Sequence, residues 1–90
     1  MTYRERIESK LNAAFSPAEL TIRDDSEKHR GHAGYRPEGE THFHVRIVSA
    51  AFDGQNRVAR QRAVYRALKA ELDERVHALS LETLTPAEAA

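Results

Sequence analysis

Thr41-His42-Phe43-His44-Val45-Arg46-Ile47-Val48-Ser49 is the stretch whose reading decides the fold. Phe43, Val45 and Ile47 alternate with His42, His44 and Arg46, so an extended chain here has one apolar and one polar face. β-branched and aromatic residues suit such a pleated surface. No other stretch alternates as strongly, and a shorter strand candidate lies on each side. The stretch is expected to be the central strand of a small sheet.

Upstream, Leu20 and Ile22 alternate with Thr21 and Arg23, predicting a short strand over Glu19–Asp24. Before it, Thr2 and Glu5 have the spacing of a capping box. Ile7, Leu11, Ala14 and Phe15 follow at helical spacing. Ser16-Pro17 should end this helix, because the residue before proline avoids the helical region.

Downstream, Phe52-Asp53-Gly54 reads as a turn and Asn56 as an N-cap. One helix is expected over Arg57–Glu74. Its apolar stripe is read as Val58, Tyr65, Leu68 and Leu72, with Val64 and Ala67 beside them and polar Gln61 at the edge. Val76–Thr83 reads as a third strand, with His77, Leu79 and Leu81 on one parity. Strand, helix, strand makes a right-handed βαβ crossover with the outer strands parallel. Thr85-Pro86-Ala87-Glu88 is a second capping box, opening a helical stub over 86–90.

The α-β-β-α-β order predicts an α/β domain over residues 1–90. Its three-stranded mixed sheet should carry the helices on one face, since so short a chain cannot cover both. His42, His44 and Arg46 would then face water.

The chain has 90 residues, which is one domain. It contains no cysteine. Disulfides, a thiol nucleophile and an iron–sulfur cluster held by its own thiolates are therefore excluded. No apolar run approaches the roughly 20 residues of a membrane span. The opening Met-Thr-Tyr-Arg-Glu-Arg lacks an apolar signal core, so a cytoplasmic protein is expected.

Basic and acidic residues balance at 14 each. The distribution is uneven, however: Arg57, Arg60, Arg62, Arg66 and Lys69 fall between Gln55 and Ala70 with no acidic residue among them. That pattern marks either a solvated helix face or a basic binding face.

Five histidines are the oddest feature of the composition. His42 and His44 lie on the polar face of the central strand, and His77 opens the third strand. His29 and His32 lie in an aperiodic stretch over 25–40, long enough to be a flexible functional loop. His29-x-x-His32 has ligand-like spacing but not the helical zinc pattern. Ser26 and Asp25 adjoin these histidines without a nucleophile-elbow motif. A binding protein is expected, not an enzyme.

Several short words occur in order along the chain. They are Asp24-Asp25-Ser26, Gly31-His32, Gly39-Glu40-Thr41-His42-Phe43, Ile47-Val48-Ser49, Phe52-x-Gly54, Arg60-x-Arg62, Val64-Tyr65, Val76-His77-Ala78-Leu79 and Thr85-Pro86. From about Ile7 to Pro86, this set resembles the BolA family. The resemblance implies a fold like a class II KH domain. It also implies a heterodimer with a monothiol glutaredoxin, formed by a chain that is a monomer alone and shares a [2Fe-2S] cluster in the pair. The glutaredoxin cysteine and glutathione would supply thiolates, and the isolated chain would hold no cluster.

By the same resemblance, His77 is one ligand and the loop supplies the other. His29 and His32 both fall in that loop. His29 is slightly preferred, because His32 sits in the Gly-His word common to longer loops. Many relatives carry a histidine between the two helical arginines. Gln61 stands there and cannot replace an imidazole at a metal.

Two readings follow. The first is a partner protein in cluster trafficking or iron regulation. The second is a DNA-binding transcriptional regulator using Arg57, Arg60, Arg62, Arg66 and Lys69. Zero net charge and the lack of a Gly-x-x-Gly clamp weigh against the second.

Overall fold

The computed structural model describes residues 2–25 and 41–90. Apart from Asp25, the loop expected over 25–40 lies outside them, and His29 and His32 with it.

Helix α1 (Tyr3–Phe15) begins at a complete capping box. Thr2 Oγ1 accepts from the Glu5 N–H at 3.1 Å, and the Glu5 carboxylate accepts from the Thr2 N–H at 3.0 Å. The helix stops where Ser16 turns left-handed at φ 43°.

Strand β1 (Glu19–Asp24) runs antiparallel to β2 (His42–Val48), with Leu20 opposite Ile47 and Ile22 opposite Val45. Strand β3 (Ala78–Leu84) runs parallel on the other side, with Phe43 opposite Leu79 and Val45 opposite Leu81. The order β1-β2-β3 makes the alternating stretch the central strand, as its pattern requires.

Phe43, Val45 and Ile47 turn to the face covered by helices and meet Ile7 and Leu11 of α1, together with Val64 and Leu68. All seven of these side chains are buried. Truncating one to alanine at such a site costs about 2–5 kcal/mol. A 3-10 turn, Ala50–Phe52, drives Phe52 into the same core, its ring centre 5.2 Å from that of Phe15. Gly54 takes the left-handed conformation (φ 79°) that closes this turn.

Three expectations need correction. The helix expected over Arg57–Glu74 is two segments, α2 (Arg57–Ala67) and α3 (Lys69–Glu74). Asn56 caps α2 as expected, its Oδ1 accepting from the Ala59 N–H at 2.8 Å. The break is Leu68, at φ −106° and ψ 18°. Its N–H is shared between the Val64 and Tyr65 carbonyls at 3.0 and 3.2 Å, a tightened turn.

The apolar stripe is also displaced. Val58 and Tyr65 are 55% and 40% exposed, whereas Val64, Leu68 and the charged Glu71 are fully buried. The core face runs through the polar residue Glu71 because α1 brings cations to meet it.

Finally, β3 begins at Ala78 and not at Val76. Val76 is buried, and its N–H still bonds to Glu71 O at 3.0 Å, so it finishes the helical segment. His77 therefore precedes the strand, and strand parity does not bury it: it is exposed. At the far end, Thr85 and Glu88 form the second capping box, and α4 (Pro86–Ala89) follows it.

Candidate functional site

The start of β2 and the residues before β3 come together at one corner of the sheet. Thr41 is the hinge of that corner and is fully buried. Its carbonyl accepts two amides, from His77 at 2.7 Å and from Ala78 at 3.1 Å. Its hydroxyl lies 2.8 Å from Nδ1 of His42. One residue thus fixes the backbone of one histidine and the ring of the next. The two imidazole centres are 6.3 Å apart and tilted by 37°.

Strand alternation separates this pair on paper. His42 belongs to the polar parity of β2, and the expected β3 put His77 on the apolar parity. Because His77 lies before β3, the pleat does not constrain it, and its ring approaches that of His42. Thr41 and the His42 approach were missed by sequence reasoning. The two residues do stand together in the word Thr41-His42-Phe43, but only the parallel register shows what they face.

His42, His44 and Arg46 are half-buried, less exposed than a bare polar face would be. His44 Nδ1 lies 3.1 Å from Ser80 Oγ on β3. Arg46 reaches Glu19 at 3.3 Å and Glu82 at 3.5 Å, bridging both neighbouring strands. No group of three or more histidine, aspartate or glutamate side chains gathers as a metal cage among the described residues.

The five basic residues of the second helical region divide into two sets. Arg60 is committed to structure. It donates to the carbonyls of Gln55 at 2.8 Å and Thr83 at 3.1 Å, and pairs with Glu88 at 2.6 Å. That pairing, with the Thr85 N–H, holds the Glu88 carboxyl down to about 2. Lys69 pairs with Asp73 at 2.7 Å. Arg57, Arg62 and Arg66 are exposed, and no ion pair to them occurs among the described residues. Tyr65 stands in the same region, its hydroxyl donating to Leu79 O at 3.2 Å on the outer edge of β3.

A separate polar cluster joins α1 to α3. Glu71 accepts from Arg6 Nε at 3.0 Å and Lys10 Nζ at 2.9 Å. Glu74 accepts from Arg6 and, at 2.8 Å, from the Tyr3 hydroxyl. The Arg6 bond is the chief reason that the Glu74 carboxyl is lowered to about 2. Every group here has its partner within the cluster, so the cluster is a fastening and not a site.

Comparison with known proteins agrees with the words read in the sequence. The family model described as BolA-like protein matches residues 11–88. "Protein BOLA1, chloroplastic" of Arabidopsis thaliana is 49% identical over 85 residues, 92% of this chain and 53% of the relative. The present chain thus spans about half of that relative's length. "DNA-binding transcriptional regulator BolA" of Escherichia coli (strain K12) is 46% identical over 85 residues, covering 94% of this chain and 77% of the relative. The solved structure of BolA1 from Arabidopsis thaliana superimposes with a TM-score of 0.88 at 41% identity, covering 100% of this chain and 99% of that one. By sequence over most of its length, and by fold, this chain belongs to the BolA-like protein family.

Proposed function

We propose that this chain is a partner protein, not an enzyme, that binds a monothiol glutaredoxin as a 1:1 heterodimer. Together they carry a [2Fe-2S] cluster for cluster trafficking or iron regulation in the cytoplasm. The cluster is the cargo of this pair. The observation that carries the reading is His77, an exposed imidazole whose backbone N–H is anchored to Thr41 O at 2.7 Å. An outward imidazole on a fixed backbone suits a ligand offered to a second protein.

A chain without cysteine holds such a cluster only through nitrogen or oxygen ligands and a partner's thiolates. His77 supplies one nitrogen. The family resemblance puts the second at His29 or His32. Neutral imidazole in place of thiolate raises the cluster potential, and it makes the complex acid-labile because the ligand must be unprotonated.

The test is to mix the full chain with a monothiol glutaredoxin, glutathione and a cluster source, then record visible absorption and circular dichroism. A 1:1 heterodimer with a spectrum unlike that of the glutaredoxin homodimer is expected. An unchanged glutaredoxin spectrum would overturn the reading.

A second reading is DNA binding, favoured by the exposed Arg57, Arg62 and Arg66 and by the name of the Escherichia coli relative. Arg60 and Lys69 have partners inside the fold and would contribute less. If DNA is bound, affinity falls steeply with salt, and removing Arg62 lowers the salt slope by about 1.

A further inference from the structure

We infer that the cleft between the first turns of α2 and the outer edge of β3 is a binding site for a small carboxylic acid, taken as its anion. Arg57 supplies the charge, Gln61 and Thr83 supply hydrogen bonds, and Leu81 supplies an apolar wall. The cleft lies towards the end of β3 away from His77 and shares no residue with the histidine corner.

The cleft has a volume of about 220 Å³ and is lined by Arg57, Gln61, Leu81, Glu82, Thr83 and Leu84. Sites for drug-sized ligands run to roughly 300–1,000 Å³, so the occupant is a molecule of a few carbon atoms.

Thr83 is the residue that asks for a ligand. It is 6% exposed, and its hydroxyl is the one buried side-chain oxygen or nitrogen without a hydrogen-bond partner among the described residues. Such a group has lost its water without replacement, a cost that native folds seldom leave standing. Thr83 stands opposite Ile47, whose side chain is in the core. Its own side chain therefore lies on the helix-covered face, on the side of α2. One step about χ1 exchanges methyl for hydroxyl at the cleft wall. An acceptor bound in the cleft then completes it.

The other polar groups of the wall donate as well. Leu84 O accepts from the N–H of Ser49, which follows β2. Strand alternation turns the Leu81 and Thr83 amides the other way, to the open edge. Arg60 marks the same direction by reaching Thr83 O from outside. Gln61 is half-buried on the α2 side, and Arg57 is exposed beside it. Arg57 is the cation left to a ligand, because the neighbouring Arg60 pairs with Glu88 at 2.6 Å. Glu82 adds no opposing charge, since its carboxylate lies 3.5 Å from Arg46 on the other face of the sheet. Donors gathered round one guanidinium suit an acceptor of one negative charge, and guanidinium meets carboxylate through paired N–H bonds.

The test titrates the full chain with butyrate while two-dimensional proton–nitrogen NMR follows the backbone amides and the Gln61 side-chain amide. Saturable shifts at Leu81, Thr83 and Gln61 are expected. Butyramide, the neutral counterpart, and inorganic phosphate should each bind at least about tenfold more weakly. Arg57→Gln should weaken butyrate about tenfold, whereas Arg23→Gln, which removes the same charge elsewhere, stays within about twofold. Thr83→Val should weaken it about fivefold and leave the fold at least as resistant to urea, since it deletes an unpaired hydroxyl and keeps the shape.

Butyrate shifts that miss these three residues, or that never saturate, would overturn the site. Butyramide or phosphate binding as tightly as butyrate would overturn the assignment to a carboxylate. A Thr83→Val chain that binds like the wild type, or that is less stable, would overturn the part given to the hydroxyl.

Discussion

The seam between α1 and α3 and the corner between β2 and β3 are both polar, in opposite ways. At the seam, side chains satisfy one another: Glu71 lies between Arg6 and Lys10, and Glu74 between Arg6 and Tyr3. The Arg6 guanidinium also lies over the Tyr3 ring, 4.5 Å from its centre. At the corner, Thr41 holds His77 by its backbone and His42 by one ring nitrogen, and the His77 side chain stays exposed. Charges that close on each other make a fastening. Rings held from behind make a site. The comparison predicts that damage at the seam appears in stability, and damage at the corner in ligand binding.

Between seam and corner, the larger stability effect belongs to Glu71→Ala. Removing a carboxylate that is 1% exposed breaks both of its own ion pairs, with Arg6 and Lys10, and leaves Arg6–Glu74. Breaking a fully buried pair costs about 3–5 kcal/mol, but Arg6 and Lys10 keep contact with water, so about 2 kcal/mol is expected. Urea denaturation should show this as a lower midpoint at unchanged slope. Thr2→Ala removes one half of the α1 capping box and should cost about 1 kcal/mol by the same measurement.

Glu74 gives the seam its pH dependence. Its carboxyl is lowered from the ordinary 4.5 to about 2, chiefly by the Arg6 hydrogen bond. The folded state thus favours the ionised form. The stability it contributes is full above the ordinary value and is lost as pH falls from 4.5 towards 2. Glu74→Gln should flatten the stability curve in that interval. The smallest effect on folding is expected of His77→Ala itself, within about 0.5 kcal/mol, because the side chain is exposed and only its backbone is anchored. A large loss of stability in that variant would erase the distinction between corner and seam.

How much of this was legible in the sequence follows the range of each interaction. Local signals carried well. Both capping boxes, the Asn56 cap and the alternation of β2 all form as their patterns require. Each depends on residues a few positions apart, or on a period repeated along one element.

Long-range signals did not carry. Val58 and Tyr65, seven residues apart, imitate a core stripe that only Leu68 and Leu72 of that reading join. The buried row passes instead through Val64, Leu68 and Glu71, and Glu71 is tolerated there only because Arg6 and Lys10 arrive from another helix. The His42–His77 approach was hidden for a related reason. Parity arguments hold only inside a strand, and His77 stands just outside one. The resemblance to the BolA family pointed to His77 without showing its surroundings, whereas His29 and His32 lie outside the described residues.

The most direct test of the central claim is pulsed electron paramagnetic resonance on the reduced cluster of the heterodimer with glutaredoxin. Nitrogen-15 labelling of histidine in this chain alone identifies its couplings. Strong histidine-nitrogen couplings are predicted in the wild type and in Glu71→Ala, with the His77 coupling lost in His77→Ala. Identical couplings in wild type and His77→Ala would contradict the account.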